Sequence, residues 1–138
     1  MNERPDFSGE WTLNRQASTL SPGADGVQSA VWQIEHRDPS FRHQAAFETT
    51  GDPIQWEYDL LSDGQEVVFS DEGVTTASSL TWAGSALVVV WRIQRPDGEM
   101  TISFRYELVD DERRRLEATE QVRGTDHDQD NVWVFERR

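Results

Sequence analysis

Apolar and polar positions alternate along most of this chain, as in Trp32-Gln33-Ile34-Glu35-His36 and Phe104-Arg105-Tyr106-Glu107-Leu108. A period of two is the mark of a β-strand that buries one of its faces. Val, Ile, Thr, Phe and Trp enrich these runs. Turn-forming groups separate them: Pro22-Gly23, Asp38-Pro39, Gly51-Asp52-Pro53, Asp63-Gly64, Ala83-Gly84, Pro96-Asp97-Gly98 and Gly124-Thr125-Asp126. The pattern predicts ten strands, near residues 8–14, 27–37, 41–49, 54–61, 66–70, 75–82, 86–94, 99–109, 115–123 and 131–137. Residues 15–20 have room for a short helical turn. No composition shift marks a boundary, so residues 1–138 read as a single domain.

Register follows if each hairpin closes at its turn, because cross-strand partners then share a face. Closure at Asp38-Pro39 pairs Ile34 with His43 and His36 with Phe41. Closure at Gly51-Asp52 pairs Phe47 with Trp56 and Ala45 with Tyr58, and closure at Asp63-Gly64 pairs Tyr58 with Phe69 and Leu60 with Val67. Further along, Leu80 meets Val89, Leu87 meets Tyr106, Val89 meets Phe104 and Trp91 meets Ile102. The apolar face persists across consecutive hairpins, while Gln33, Glu35, Arg42, Gln44, Glu57, Asp59, Arg92 and Arg105 take the other. A one-sided meander of this length buries its apolar face by closing, which also removes exposed edges. The expected fold is therefore all-β, an antiparallel up-and-down barrel of about ten strands. An eight-stranded barrel is already just filled by side chains, so about ten leave a lumen.

Charge narrows the choice of partner. The chain carries 26 acids against 13 bases, a net charge of −13. That balance repels phosphate backbones and anionic bilayers, so neither nucleic acid nor membrane is an expected partner. Cysteine is absent, which excludes disulfides and thiolate chemistry. The start, Met1 to Gly9, lacks the basic and apolar pattern of a signal peptide, and a cytoplasmic location is the expectation.

The segment Phe7-Ser8-Gly9-Glu10-Trp11-Thr12-Leu13 resembles the opening strand of the calycins, the lipocalins and fatty-acid-binding proteins, with their Gly-x-Trp signature. Tyr106 to Asp110, the strand at Leu116 and Val134-Phe135-Glu136-Arg137 resemble the last three strands of a fatty-acid-binding protein. The chain looks most like the small bacterial lipocalin-like proteins that begin Phe-Ser-Gly-x-Trp. The resemblance implies a basic residue of the last strand over the signature indole, here Arg137 on Trp11. It also implies two departures. The two-helix lid of fatty-acid-binding proteins has only Arg15 to Gly26 to occupy, so a helical lid is not expected. Their carboxylate clamp, an Arg-x-Tyr on the last strand with an Arg on the eighth, is replaced by Trp133, Phe135 and Tyr106. A neutral, flat or aromatic ligand fits that lumen better than a free fatty acid.

The expected ligand-binding residues are the inward-facing Trp32, His43, Phe47, Trp56, Tyr58, Trp91, Phe104, Tyr106, Glu120, Trp133 and Phe135, with Trp82 also inward. Aromatic rings give a pocket apolar area with polar tips, and equally well fill a barrel solid. Glu120 is expected opposite Phe135 and beside Phe104, where an apolar setting would suit a general acid or base, with His43 as its partner. His36, His43 and Glu120 could also form a metal triad, but their spacing does not favour one and no metal is expected. Asp126-x-Asp128-x-Asp130 resembles the start of a calcium loop, yet Asn131 and Arg137 stand where that loop needs Gly and Glu. The run Asp110 to Arg115 reads as a solvated turn. No Gly-rich phosphate loop or nucleophile motif is present, and no cofactor is expected.

Three functions remain in play. One is a barrel, monomeric or homodimeric, that sequesters or carries a small apolar molecule. The second is an isomerase or cyclase on the same barrel, moving a proton with His43, Glu120 or Tyr106. The third is a plugged barrel acting through its outer face, where Val31, Val68, Val88, Val90 and Val134 would lie.

Overall fold

The computed structural model describes residues 4–110, 112–124 and 128–138. Ten strands follow one another: β1 (Gly9–Leu13), β2 (Val27–Arg37), β3 (Ser40–Thr49), β4 (Ile54–Leu61), β5 (Val67–Asp71), β6 (Val74–Ala83), β7 (Ala86–Arg95), β8 (Gly98–Leu108), β9 (Arg115–Arg123) and β10 (Gln129–Arg137). They form one antiparallel sheet in the order β4-β3-β2-β1-β10-β9-β8-β7-β6-β5. The described residues contain no helix; residues 14–26 are turns and an isolated bridge.

Tight turns fix the register where it was expected. Ile34 pairs with His43, His36 with Phe41, Leu80 with Val89, Leu87 with Tyr106, Val89 with Phe104 and Trp91 with Ile102. Two pairings differ. β3 and β4 meet two residues out of the expected register, with Phe47 against Ile54, Ala45 against Trp56 and His43 against Tyr58. The loop between them is wide. Its Thr49 hydroxyl accepts from Gly51 N and donates to Asp52 O, which moves the closing point off Gly51-Asp52. The shift is even, so the same side chains still face inward.

The second difference concerns closure. β4 and β5 are the two edges of the sheet and do not pair, so Tyr58 does not meet Phe69, nor Leu60 Val67. The Asp63-Gly64 turn is captured by β6 instead. Asp63 bridges Thr81, and Gly64, at φ 77°, donates its N–H to Leu80 O. The sheet curls into a barrel with an unpaired seam between β4 and β5. Five of the six exposed large apolar side chains among the described residues, Ile54, Leu61, Val67, Val68 and Phe69, lie on those edges.

The lower end, where β1 begins and β10 ends, is closed by packing and by one carboxylate. Phe7 and Trp11 are fully buried there. Arg137 stacks over the Trp11 ring at 4.5 Å and donates to Ser8 O and Asp6 O. Asp38 Oδ1 accepts from Ser62 Oγ at 2.7 Å and Trp82 Nε1 at 2.9 Å, and lies 3.5 Å from His36 Nε2. Burial opposes the charge of Asp38. The bonds from Ser62, Trp82 and His36 outweigh it and hold its carboxyl below the usual range. One side chain thereby ties the β2–β3 turn to the β4–β5 connection and to β6, across the seam that backbone pairing leaves open. His36 is occupied in the same way, since its Nδ1 accepts from Phe7 N.

Candidate functional site

Inside the barrel the aromatic side chains divide into a floor and a wall. Trp32, the centre of the floor, is fully buried. It stacks on Phe135 at 4.0 Å and meets His43 edge-on at 4.4 Å and Tyr106 at 5.8 Å. Phe41 stacks on Tyr106 beneath them. Trp32, His43, Tyr106 and Phe135 form this floor and do not line the open space above it.

Above the floor lies a cavity of about 440 Å³. Phe47, Trp56, Tyr58, Trp91, Ile102, Phe104 and Trp133 supply most of its wall, with Glu120 and Asn131 from β9 and β10. The turn segment contributes Gly23 and Ala24 at the mouth, where a helical lid is absent. Thus seven of the eleven expected binding residues line the cavity and four lie under it. Trp82 belongs to the lower end, against Phe7 and His36.

The floor carries a polar trio. His43 Nδ1 lies 3.3 Å from Tyr58 Oη and 3.4 Å from Tyr106 Oη, and the two hydroxyls are 3.0 Å apart. Burial pushes the His43 ionisation down to about 3, so the ring is neutral. Burial likewise raises both tyrosines well above their ordinary value. His43 Nε2 and Trp32 Nε1 have no hydrogen-bond partner among the described residues. Only the ring of Tyr58 joins the trio to the cavity.

The wall carries a different cluster. Glu120 pairs with Phe104 as expected, but its partner on β10 is Asn131, not Phe135, which pairs with Leu116. The displacement is four residues along β10, again even, so the face is kept. Glu120 Oε1 accepts from Asn131 Nδ2 and from Trp133 Nε1, each at 3.0 Å. Asn131 Oδ1 in turn accepts from Ser21 N at 2.7 Å, which fastens the mouth segment to the wall. Sequence reasoning missed Asn131. Its alternation with Trp133 and Phe135 on one strand was the signal that could have found it.

His43 and Tyr106 therefore bond to each other and Glu120 to Asn131 and Trp133; no hydrogen bond joins the two clusters among the described residues. Nor, among those residues, do three or more His, Asp or Glu gather to hold a metal ion. Asp126 lies outside the described residues, Asp128 is exposed and Asp130 binds Arg123. In the Asp110–Arg115 turn, Asp111 lies outside the described residues and Asp110 Oδ1 accepts from the N–H groups of Arg114 and Arg115. On the outer face Val31, Val88 and Val90 are half-buried and Val68 is exposed. Val134 is buried where the segment from Asn14 to Thr19 runs along β10. No helix among the described residues is long and apolar enough to cross a membrane.

No protein-family model matches the chain, and no curated protein sequence matches it. Solved structures do. A secretory abundant heat soluble protein of Ramazzottius varieornatus, from a dimer sample, aligns with TM-score 0.65 at 13% identity, over 99% of this chain and 98% of its own. Zebrafish ileal bile-acid-binding protein, complexed with cholic acid, aligns with TM-score 0.59 at 14% identity, over 96% and 98%. The likeness is one of fold. A Schistosoma mansoni fatty-acid-binding protein in complex with arachidonic acid shares it, with TM-score 0.52 at 13% identity over 99% of both chains. The barrel departs from the expected closure at its seam, and identities this low speak to fold alone.

Proposed function

We propose that the chain is a small-molecule-binding barrel that sequesters or carries an apolar ligand, neutral or aromatic, in the upper half of its lumen. The observation that carries this reading is the 440 Å³ cavity, walled by aromatic and aliphatic side chains with a few polar groups among them. That size and make-up are usual for a small-molecule site. Similar folds complexed with cholic acid and with arachidonic acid support a ligand-holding role. Their acidic ligands do not transfer, because Trp133, Phe135 and Tyr106 occupy the positions that the resemblance assigns to a carboxylate clamp.

In this reading Phe47, Trp56, Tyr58, Trp91, Phe104, Glu120 and Trp133 touch the ligand. Trp32, His43, Tyr106 and Phe135 support them from below. A cytoplasmic setting and a monomer or homodimer belong to the proposal, and the −13 net charge favours neither nucleic acid nor an anionic membrane as partner. Tryptophan fluorescence tests it. A neutral aromatic probe such as 1-naphthalenemethanol should quench the emission saturably. Trp133→Ala should weaken binding by about 1 kcal/mol or more, the worth of a lost aromatic packing partner. Absence of quenching by any apolar probe would mean a barrel without an accessible lumen.

A further inference from the structure

Among the described residues, the charges around the cavity are all of one sign. The ionisable acids or bases that line it there are Glu120 and Glu57, apart from the buried hydroxyl of Tyr58, with no Arg or His among the described lining residues. Glu57 stands at the edge strand, exposed, and accepts from Gln44 Nε2. Glu120 is half-buried in the wall, between the Phe104 and Trp133 positions. The base closest to it along β9, Arg123, is engaged elsewhere, with Asp130 and with the carbonyls of Val122 and Gln129.

The two donors on Glu120 matter as much as its charge. Asn131 and Trp133 both donate to Oε1, which fixes the plane and position of the carboxylate. Oε2 has no hydrogen-bond partner among the described residues. A carboxylate held by one oxygen, on the wall of an apolar cavity, is an acceptor prepared for a donor that the described residues do not supply. The rings of Trp56, Trp91, Phe104 and Trp133 line the same space, and aromatic rings attract a cation through the negative quadrupole of their faces. The −13 net charge draws cations towards the mouth and repels carboxylates.

We propose that the ligand is an apolar amine: an aromatic or aliphatic body in the cavity with a protonated nitrogen on Glu120. This rests on the cavity being a ligand site and names the chemistry it selects.

Three probes of one shape test it by tryptophan quenching at neutral pH: 1-naphthylmethylamine, 1-naphthalenemethanol and 1-naphthoate. The amine should bind about tenfold or more tighter than the alcohol, as an ion pair implies over a hydrogen bond from a neutral hydroxyl, and naphthoate weakest. Glu120→Gln should bring the amine to within a few-fold of the alcohol, whose own binding changes less. Glu57→Gln should leave the preference intact. Equal binding of amine and alcohol overturns the inference while the cavity reading stands, as does a preference that survives Glu120→Gln or is lost in Glu57→Gln. Tightest binding of naphthoate overturns it too. If none of the three quenches, the cavity reading falls and this inference with it. Should Glu120→Gln fail to fold, Glu120→Ala must abolish the amine preference in its place, and persistence of the preference there also overturns the proposal.

Discussion

The barrel holds two polar clusters, and their surroundings set them apart. In the floor, His43 Nδ1 and the hydroxyls of Tyr58 and Tyr106 bond to one another and are sealed under stacked rings, with His43 kept neutral by burial. In the wall, Glu120 shares one oxygen with Asn131 and Trp133 and borders an open cavity. The same face of the same sheet thus supplies a plug in one half and a pocket in the other. What differs is how many large rings converge. Trp32 meets His43, Phe47, Trp56, Phe104, Tyr106 and Phe135, so β2 fills the floor, whereas the turn segment above offers the cavity only Gly23 and Ala24.

The largest expected contrast is in stability. Trp32→Ala should cost on the order of 3–5 kcal/mol, the range for deleting a fully packed aromatic. Trp91→Ala, half-buried and already facing open space, should cost only about 1–2 kcal/mol. Urea midpoints at unchanged m-value measure both, and equal losses would erase the distinction between floor and wall.

Acid should separate the halves next. In the unfolded chain His43 ionises near 6.5, but in the folded chain only near 3. Below about pH 6.5 the unfolded state therefore takes up a proton that the folded state refuses, and stability falls as pH falls. The slope approaches about 1.4 kcal/mol per pH unit, or about 2–3 kcal/mol between pH 6.5 and 4.5. Tyr58 and Tyr106, the titratable groups against His43, stay neutral throughout. Asp6 and Asp38, whose pKa values are lowered, give up their contributions only further down, as pH falls through their own depressed range. His43→Leu should lower the overall stability yet flatten the slope in that window. A wild-type slope no steeper than that of the variant would mean that water reaches the floor.

Much of this was legible in the chain. Two-residue turns leave a hairpin one register, so Asp38-Pro39 and Pro96-Asp97 placed His43 and Phe104 on the inner face without a structure. Wider connections do not, which is why Phe47 and Glu120 acquired partners displaced by even steps. The face survived and the neighbour did not. Closure was the least legible part. Nothing local in β4 or β5 says that the Asp63-Gly64 turn prefers β6, since that competition is decided by long-range bonds such as Gly64 N to Leu80 O. The division into floor and wall was equally hidden, because alternation marks which residues point inward and not how far their rings reach.

Binding is the most direct test of that division. Amide chemical shifts should be followed by NMR while 1-naphthalenemethanol is titrated into the protein. The account predicts shifts confined to the upper half, at Ala24, Phe47, Trp91, Phe104, Glu120 and Trp133, with Phe41, Leu80 and Leu116 in the lower half unmoved. Shifts centred on the lower half, or none anywhere, would contradict it.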